Sequence, residues 1–237
     1  MQAARAGSYG GPVVNLSFPD VTGPVLARLG LAPALGLGNA GMILRRVCAA
    51  LRAARPDSSL PLVRVIAHHA QVARVMQAAE PASPGGRCRV YLGEDGRRDD
   101  GLAYRAPSLA PGVRYNLVAA AAAVPAIEAL LPGSAPLRWS VPAPGGLPGG
   151  YPVRIGPGSV TLDLPPGVAE AEAVAFNEQA GRGDGVERVE ADGTVVFTSA
   201  CRASVAGVAP DLAEPLQVSD LPGRAARLDA VLGGLDS

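Results

Sequence analysis

An α+β fold, mixed α/β in its first part, is predicted by three features of this sequence. Helix-like and strand-like runs alternate from Pro12 to Ala79. Short strands set off by Pro–Gly clusters dominate after Leu131. Between the two lies one long alanine-rich helix, and this order of parts suits a layered α and β domain. A chain of 237 residues can bury a substantial core in one large or two small domains. Its 21 basic and 21 acidic residues cancel, which leaves no electrostatic reason to expect nucleic acid or an anionic membrane as partner. Cys48, Cys88 and Cys201 are odd in number and far apart, as suits free thiols in a reducing compartment. No Cys or His spacing marks a structural zinc site. Residues 1–11 hold no apolar leader core and no stretch approaches 18 unbroken apolar residues, so a cytoplasmic protein without a membrane partner is expected.

Taken in order, Pro12 to Phe18 reads as a strand closed by a Pro19-Asp20 turn. Asp20 or Thr22 can cap the next helix, from Gly23 to Leu29. Gly36, Gly38 and Gly41 precede a helix from Met42 to Ala54 whose apolar residues are Ile43, Val47 and Leu51. Pro56 to Ser59 is a loop, Leu60 to Ile66 a strand, and Gln71 to Ala79 a short helix. Gly85 to Gly96 reads as strand and turn, followed by a solvated charge cluster from Arg97 to Asp100. The alanine run from Asn116 to Leu131 is a strong helix former. Strands follow at Leu137 to Val141, Tyr151 to Ile155 and Val160 to Leu164, then a helix from Ala169 to Ala180. Asp192-Gly193 between Val186–Val189 and Thr194–Thr198 signals a hairpin, and Pro222 to Leu232 is the last helix.

The two histidines of the chain, His68 and His69, stand side by side where the apolar run Leu62 to Ile66 ends. Histidine titrates near neutrality, so an imidazole held at the end of a rigid strand is a proton-transfer candidate. The plainer reading makes one of them exposed and the other a satisfied core residue. Gly36-x-Gly38-x-x-Gly41 matches the dinucleotide-binding pattern of glycines. That pattern needs a firm apolar strand before it and an acidic residue ending the next one. Ala34-Leu35 is a poor strand and the next strand ends in histidines, so a tight strand-to-helix turn is expected instead.

The order and spacing of these parts resembles the later half of the lactate/malate dehydrogenase superfamily. Asn15-Leu-Ser-Phe-Pro19-Asp20 stands where that family has an Asn-Pro-x-Asp-type strand end. Gly36-Leu-Gly38 stands for its turn, Arg45 for its substrate-binding arginine, and Ala67-His68-His69-Ala70 for its histidine motif. Arg114-Tyr115-Asn116 and Tyr151-Pro-Val-Arg-Ile-Gly156 fall where the family starts a helix and runs a substrate-domain strand. The resemblance implies residues 1–30 as the remnant of a nucleotide-binding domain, the end of a Rossmann-type sheet. Residues 31–237 would then form the substrate domain of a lactate/malate dehydrogenase-like fold. It further implies a truncated NAD(P)-dependent oxidoreductase acting on a small carboxylate-bearing hydroxy, keto or amino acid. His69 would exchange the proton, Arg45 would bind the substrate carboxylate and Asn15 the reacting oxygen. The expected cofactor of the complete protein is NAD or NADP, bound weakly by this chain alone because the upstream half is missing. The expected assembly is a homo-oligomer.

Four departures qualify the likeness. The family's aspartate, which orients the imidazole, falls at Met42, and the glycines beside the histidine are alanines. Leu16-Ser-Phe18 is inserted before Pro19, and no upstream glycine loop precedes Asn15. His69 is therefore expected to be a weaker base unless Asp20 or another carboxylate substitutes. Asn15 suits turn capping as well, and Arg45 suits a solvated helix face. Two alternatives remain open: a non-catalytic association module, and a relative of the NAD- and metal-dependent glycosidases. For the second, Gly38-Asn39 stands where a metal-binding cysteine is needed and Cys48 lies further along the helix.

Overall fold

The computed structural model describes residues 2–235. Its elements are α1 (Gln2–Ala6), β1 (Val14–Asn15), α2 (Pro19–Arg28), β2 (Leu35–Gly36), α3 (Asn39–Ala54), β3 (Val63–Ile66) and α4 (His69–Met76). Then come β4 (Arg89–Leu92), β5 (Arg97–Arg98), α5 (Val113–Leu130), β6 (Leu137–Pro142), β7 (Gly150–Gly156) and β8 (Ser159–Leu162). The chain ends with α6 (Glu170–Gly181), β9 (Val186–Val189), β10 (Val195–Phe197), α7 (Ser199–Ala206) and α8 (Leu221–Leu235). The fold is mixed α and β, as expected.

Two antiparallel three-stranded sheets, β3–β4–β5 and β6–β7–β8, carry the core. They are stitched together where β3 ends, by a bridge between Ala67 and Gly150, and by Ser140 Oγ, which accepts the Val65 N–H at 3.0 Å. β1 and β2 pair in parallel, Val14 with Leu35 and Asn15 with Gly36. β9 and β10 form the hairpin that Asp192-Gly193 signals.

Helix α3 is the hub. Its residues Met42, Ile43, Leu44 and Val47 share one cluster with Val63 and Val65 of β3, Val75 and Met76 of α4, and Val90 of β4. Helix α5 covers β6 and β7 with Ala123, Ala126 and Leu130 on Val141, Val153 and Ile155. On the other side, Ile66, Tyr91 and Tyr151 pack against Ala173 of α6. β3 is buried along its whole length, with Arg64 set between the apolar residues Val63, Val65 and Ile66. Its end delivers His68 into the interior, while His69 stays partly exposed.

Three local differences have clear causes. The expected strand Pro12 to Phe18 pairs only at Val14–Asn15, because Phe18 turns into the left-handed region at φ 42°. Pro19, expected in a turn, opens α2 instead; its fixed φ and missing N–H suit the first helical turn. Asp20 is thus inside the helix, and neither it nor Thr22 caps it. Helices α1 and α7 lie in stretches without apolar periodicity. Helix α5 is 18 residues long and apolar enough by length and composition to cross a membrane. One side of it packs on β6 and β7 while the other is exposed, and Trp139 Nε1 donates to its Ala122 carbonyl at 3.0 Å.

Candidate functional site

The site is assembled where β3 stops. His68 is the N-cap of α4: its Nδ1 accepts the Ala70 N–H at 3.3 Å. Its own N–H donates to Gln71 Oε1 at 3.0 Å, which completes a capping box. His69 is then the first residue of α4, carried on a fixed helix start. The Asp184 carboxylate, in the turn after α6, reaches it: Asp184 Oδ2 lies 2.9 Å from His69 Nδ1. A carboxylate only accepts, so His69 Nδ1 carries the hydrogen and Nε2 keeps the lone pair when the ring is neutral. The same oxygen stands 3.3 Å from His68 Nδ1. That contact is attractive only when His68 carries a proton on Nδ1, because the capping bond to Ala70 needs the lone pair.

Electrostatics follow from these contacts. The hydrogen bond to Asp184 raises the His69 pKa above its ordinary value, against partial burial that would lower it. Burial alone would push Asp184 up, but the hydrogen bond to His69 and the nearby His68 outweigh it and hold the carboxyl well below the usual range. The edge of the Phe18 ring meets the His69 ring at 5.4 Å between centroids.

Beside the pair lies a cavity of about 310 Å³ between α2, the Gly145–Pro148 segment, α6 and β9. Asp20, His68 and Asn177 line it, and each is almost wholly buried, at 3%, 2% and 0% exposure. Asn39 Nδ2 donates to Asp20 Oδ2. Burial pushes the Asp20 carboxyl up, opposed by the nearby His68 and the Asn39 bond. Arg28, Glu178 and Arg188 stand at the rim of the same cavity.

Of the three residues picked from sequence, only His69 meets Asp184, and none of the three is among the cavity's lining residues. Asn15 uses both ends of its amide locally: Nδ2 donates to Thr22 Oγ1 at 2.6 Å and Oδ1 accepts the Ser17 N–H at 3.0 Å. This is the turn-capping role. Arg45 lies half-buried on α3, is not among the cavity's lining residues, and is placed near Cys48. Sequence reasoning missed Asp184 and Asn177. Asp184 carries no local signal, being 115 residues from its partner. Asn177 carries one: Ala173, Asn177 and Gly181 follow each other at four-residue steps on the buried face of α6, so a polar amide on a packed stripe was readable.

The glycine turn does not fit a dinucleotide phosphate cradle. Residues 35–44 are all buried. A side chain at Gly36 would run into Pro19 and Pro142, and a Cβ on Gly41 would lie 3.1 Å from Ala122 Cβ and 3.2 Å from the Ser140 carbonyl. These glycines let α3 approach β6 and α5, and Gly38, at φ 94°, makes the turn into α3. Among the described residues no three His, Cys, Asp or Glu side chains converge as a metal-binding set. Comparison with protein-family models, with curated proteins and with solved structures finds no match.

Proposed function

We propose that this chain handles substrate and proton in an oxidoreductase reaction on a small carboxylate-bearing hydroxy, keto or amino acid. His69 is the proton-exchanging group. The observation that carries the reading is the Asp184 carboxylate 2.9 Å from His69 Nδ1. It orients the ring, presents the Nε2 lone pair and stabilises the imidazolium formed when that lone pair takes a proton. The resemblance to lactate/malate dehydrogenases leaves Met42 at the position of the orienting carboxylate, and Asp184 supplies the same chemistry from another part of the chain. Reactions of this class use NAD or NADP to carry hydride. The buried glycine turn offers it no cradle here, so such a cofactor would be held mainly by a part of the complete, cytoplasmic protein outside these residues.

The face of α5 that carries Val113, Leu117, Val124 and Ile127 is exposed, which supports a homo-oligomer and is the feature that favours a non-catalytic association module as second reading. Nothing in the arrangement of Cys48 supports the glycosidase alternative.

The test is a panel of short 2-hydroxy, 2-keto and 2-amino acids with NAD(H) and NADP(H), using the full chain supplemented with host-cell extract. Wild type, His69→Asn and Asp184→Asn are compared. His69→Asn is expected to lower kcat by about 10² to 10⁴, as loss of a general acid/base does, and Asp184→Asn by less. Equal turnover by wild type and His69→Asn, or no turnover of any member of the panel, sinks the reading.

A further inference from the structure

Asp20 Oδ1 and Asn177 Oδ1, on two residues that line the cavity, are buried without a hydrogen-bond partner. The orientation of Asn177 is settled by its Nδ2, which donates to the Gly150 carbonyl at 3.1 Å, so the unpaired atom is the acceptor. Asp20 already uses its other oxygen on Asn39. Buried polar atoms are costly to leave unpaired, and both of these residues line the same space.

What fills the space must therefore bring donors, and it must also suit a buried carboxylate with no Lys or Arg bonded to it among the described residues. A hydroxyl brings one donor and no charge; an ammonium brings three donors and a positive charge. The walls around these atoms are aliphatic, from Val21, Pro24, Leu147 and Val174. At the rim, Arg188 is held by Glu190 at 2.7 Å. Arg28 is exposed there and has no carboxylate partner among the described residues. A volume of about 310 Å³ is enough for a small ligand.

We infer that this cavity binds a small aliphatic α-amino acid, its ammonium group on Asp20 and Asn177 and its carboxylate toward Arg28. The inference narrows the substrate class of the proposed function and rests on it only for the ligand being turned over. Binding is measured without turnover, so the two can fail separately.

The experiment is isothermal titration calorimetry of the full chain with valine, with 2-hydroxyisovalerate and with isobutylamine. Valine should bind saturably, and the hydroxy acid and the amine at least tenfold more weakly. Asp20→Asn should weaken valine binding at least tenfold. Val174→Phe fills the cavity without touching Asp20 or its bond to Asn39, and should abolish binding in a chain whose circular dichroism and Tm match the wild type. If Asp20→Asn does not fold, the ligand series and Val174→Phe still decide. Equal binding of 2-hydroxyisovalerate overturns the ammonium site, and equal binding of isobutylamine overturns the role of Arg28. Absence of valine binding, or valine binding undiminished by Val174→Phe, overturns the inference altogether. Valine binding without turnover leaves it standing and removes the proposed reaction instead.

Discussion

The His69 imidazole must hold a proton on Nδ1 to meet Asp184, and this ties stability to pH as well as to proton transfer. His69 has its pKa raised in the folded state from 6.5, so its contribution is complete below that value and fades as pH rises through the folded pKa. Asp184 has its pKa lowered from 3.8, so its contribution is present above that value and fades as pH falls through the folded pKa. The pair therefore stabilises most between the two ordinary values, 3.8 and 6.5. With the His69 side chain 39% exposed, solvent screens the interaction to about 1 kcal/mol or less. The Tm difference between wild type and Asp184→Asn, measured across pH, should be largest in that window, a few degrees at most for a chain of this size. A difference that grows steadily above neutral pH would show that the pair is not the source.

Among the elements, the strands are clamped by a charge network with no sequence signature. Asp163, just past β8, takes Arg64 of β3 at 3.2 Å, Arg138 of β6 at 2.8 Å and Arg154 of β7 at 3.3 Å. Three strands from two sheets thus meet on one carboxylate. Arg64 is the buried member, its side chain 5% exposed. Asp163→Asn leaves Arg64 with Glu94 at 3.4 Å and the Gly93 carbonyl at 2.9 Å, and should cost about 2 kcal/mol, as loss of a charged hydrogen-bond partner does. Urea denaturation measures it. Burial would raise the Asp163 pKa, but the bonds to Arg138 and Arg64 outweigh this and lower it below 3.8. The clamp's contribution is therefore present above that pH and lost as pH falls through the folded pKa. Asp163→Asn should remove this part of the acid sensitivity; unchanged acid sensitivity would argue against the clamp.

For the whole molecule, the consequence of the fold is that its glycine-rich turn is interior. A phosphate needs exposed N–H groups at a helix start, whereas residues 38–42 are buried and Gly41 packs against Ser140 and Ala122. Calorimetric titration of the full chain with NADH is expected to show no binding in the micromolar range. Micromolar binding would mean that the turn opens and would restore the dinucleotide reading of Gly36, Gly38 and Gly41.

Local chemistry is what the sequence by itself determined. Amphipathic spacing located α3, the alanine run α5, the Asp-Gly pair the β9–β10 hairpin, and the apolar run before His68 the strand that ends at the site. Each is a property of neighbours along the chain, and so is the proton-transfer character of His69. Only the tertiary structure decided what surrounds it. Asp184 reaches His69 from the far end of α6, and Asp20 and Asn177 converge from helices that no local pattern relates. Arg45 sits near Cys48 and outside the cavity lining, and Asn15 bonds within its own turn, because the packing of α3 and the backbone at Phe18 set where those residues lie. Hydrogen bonds and ion pairs between distant residues depend on chain closure, which spacing along a single sequence does not encode.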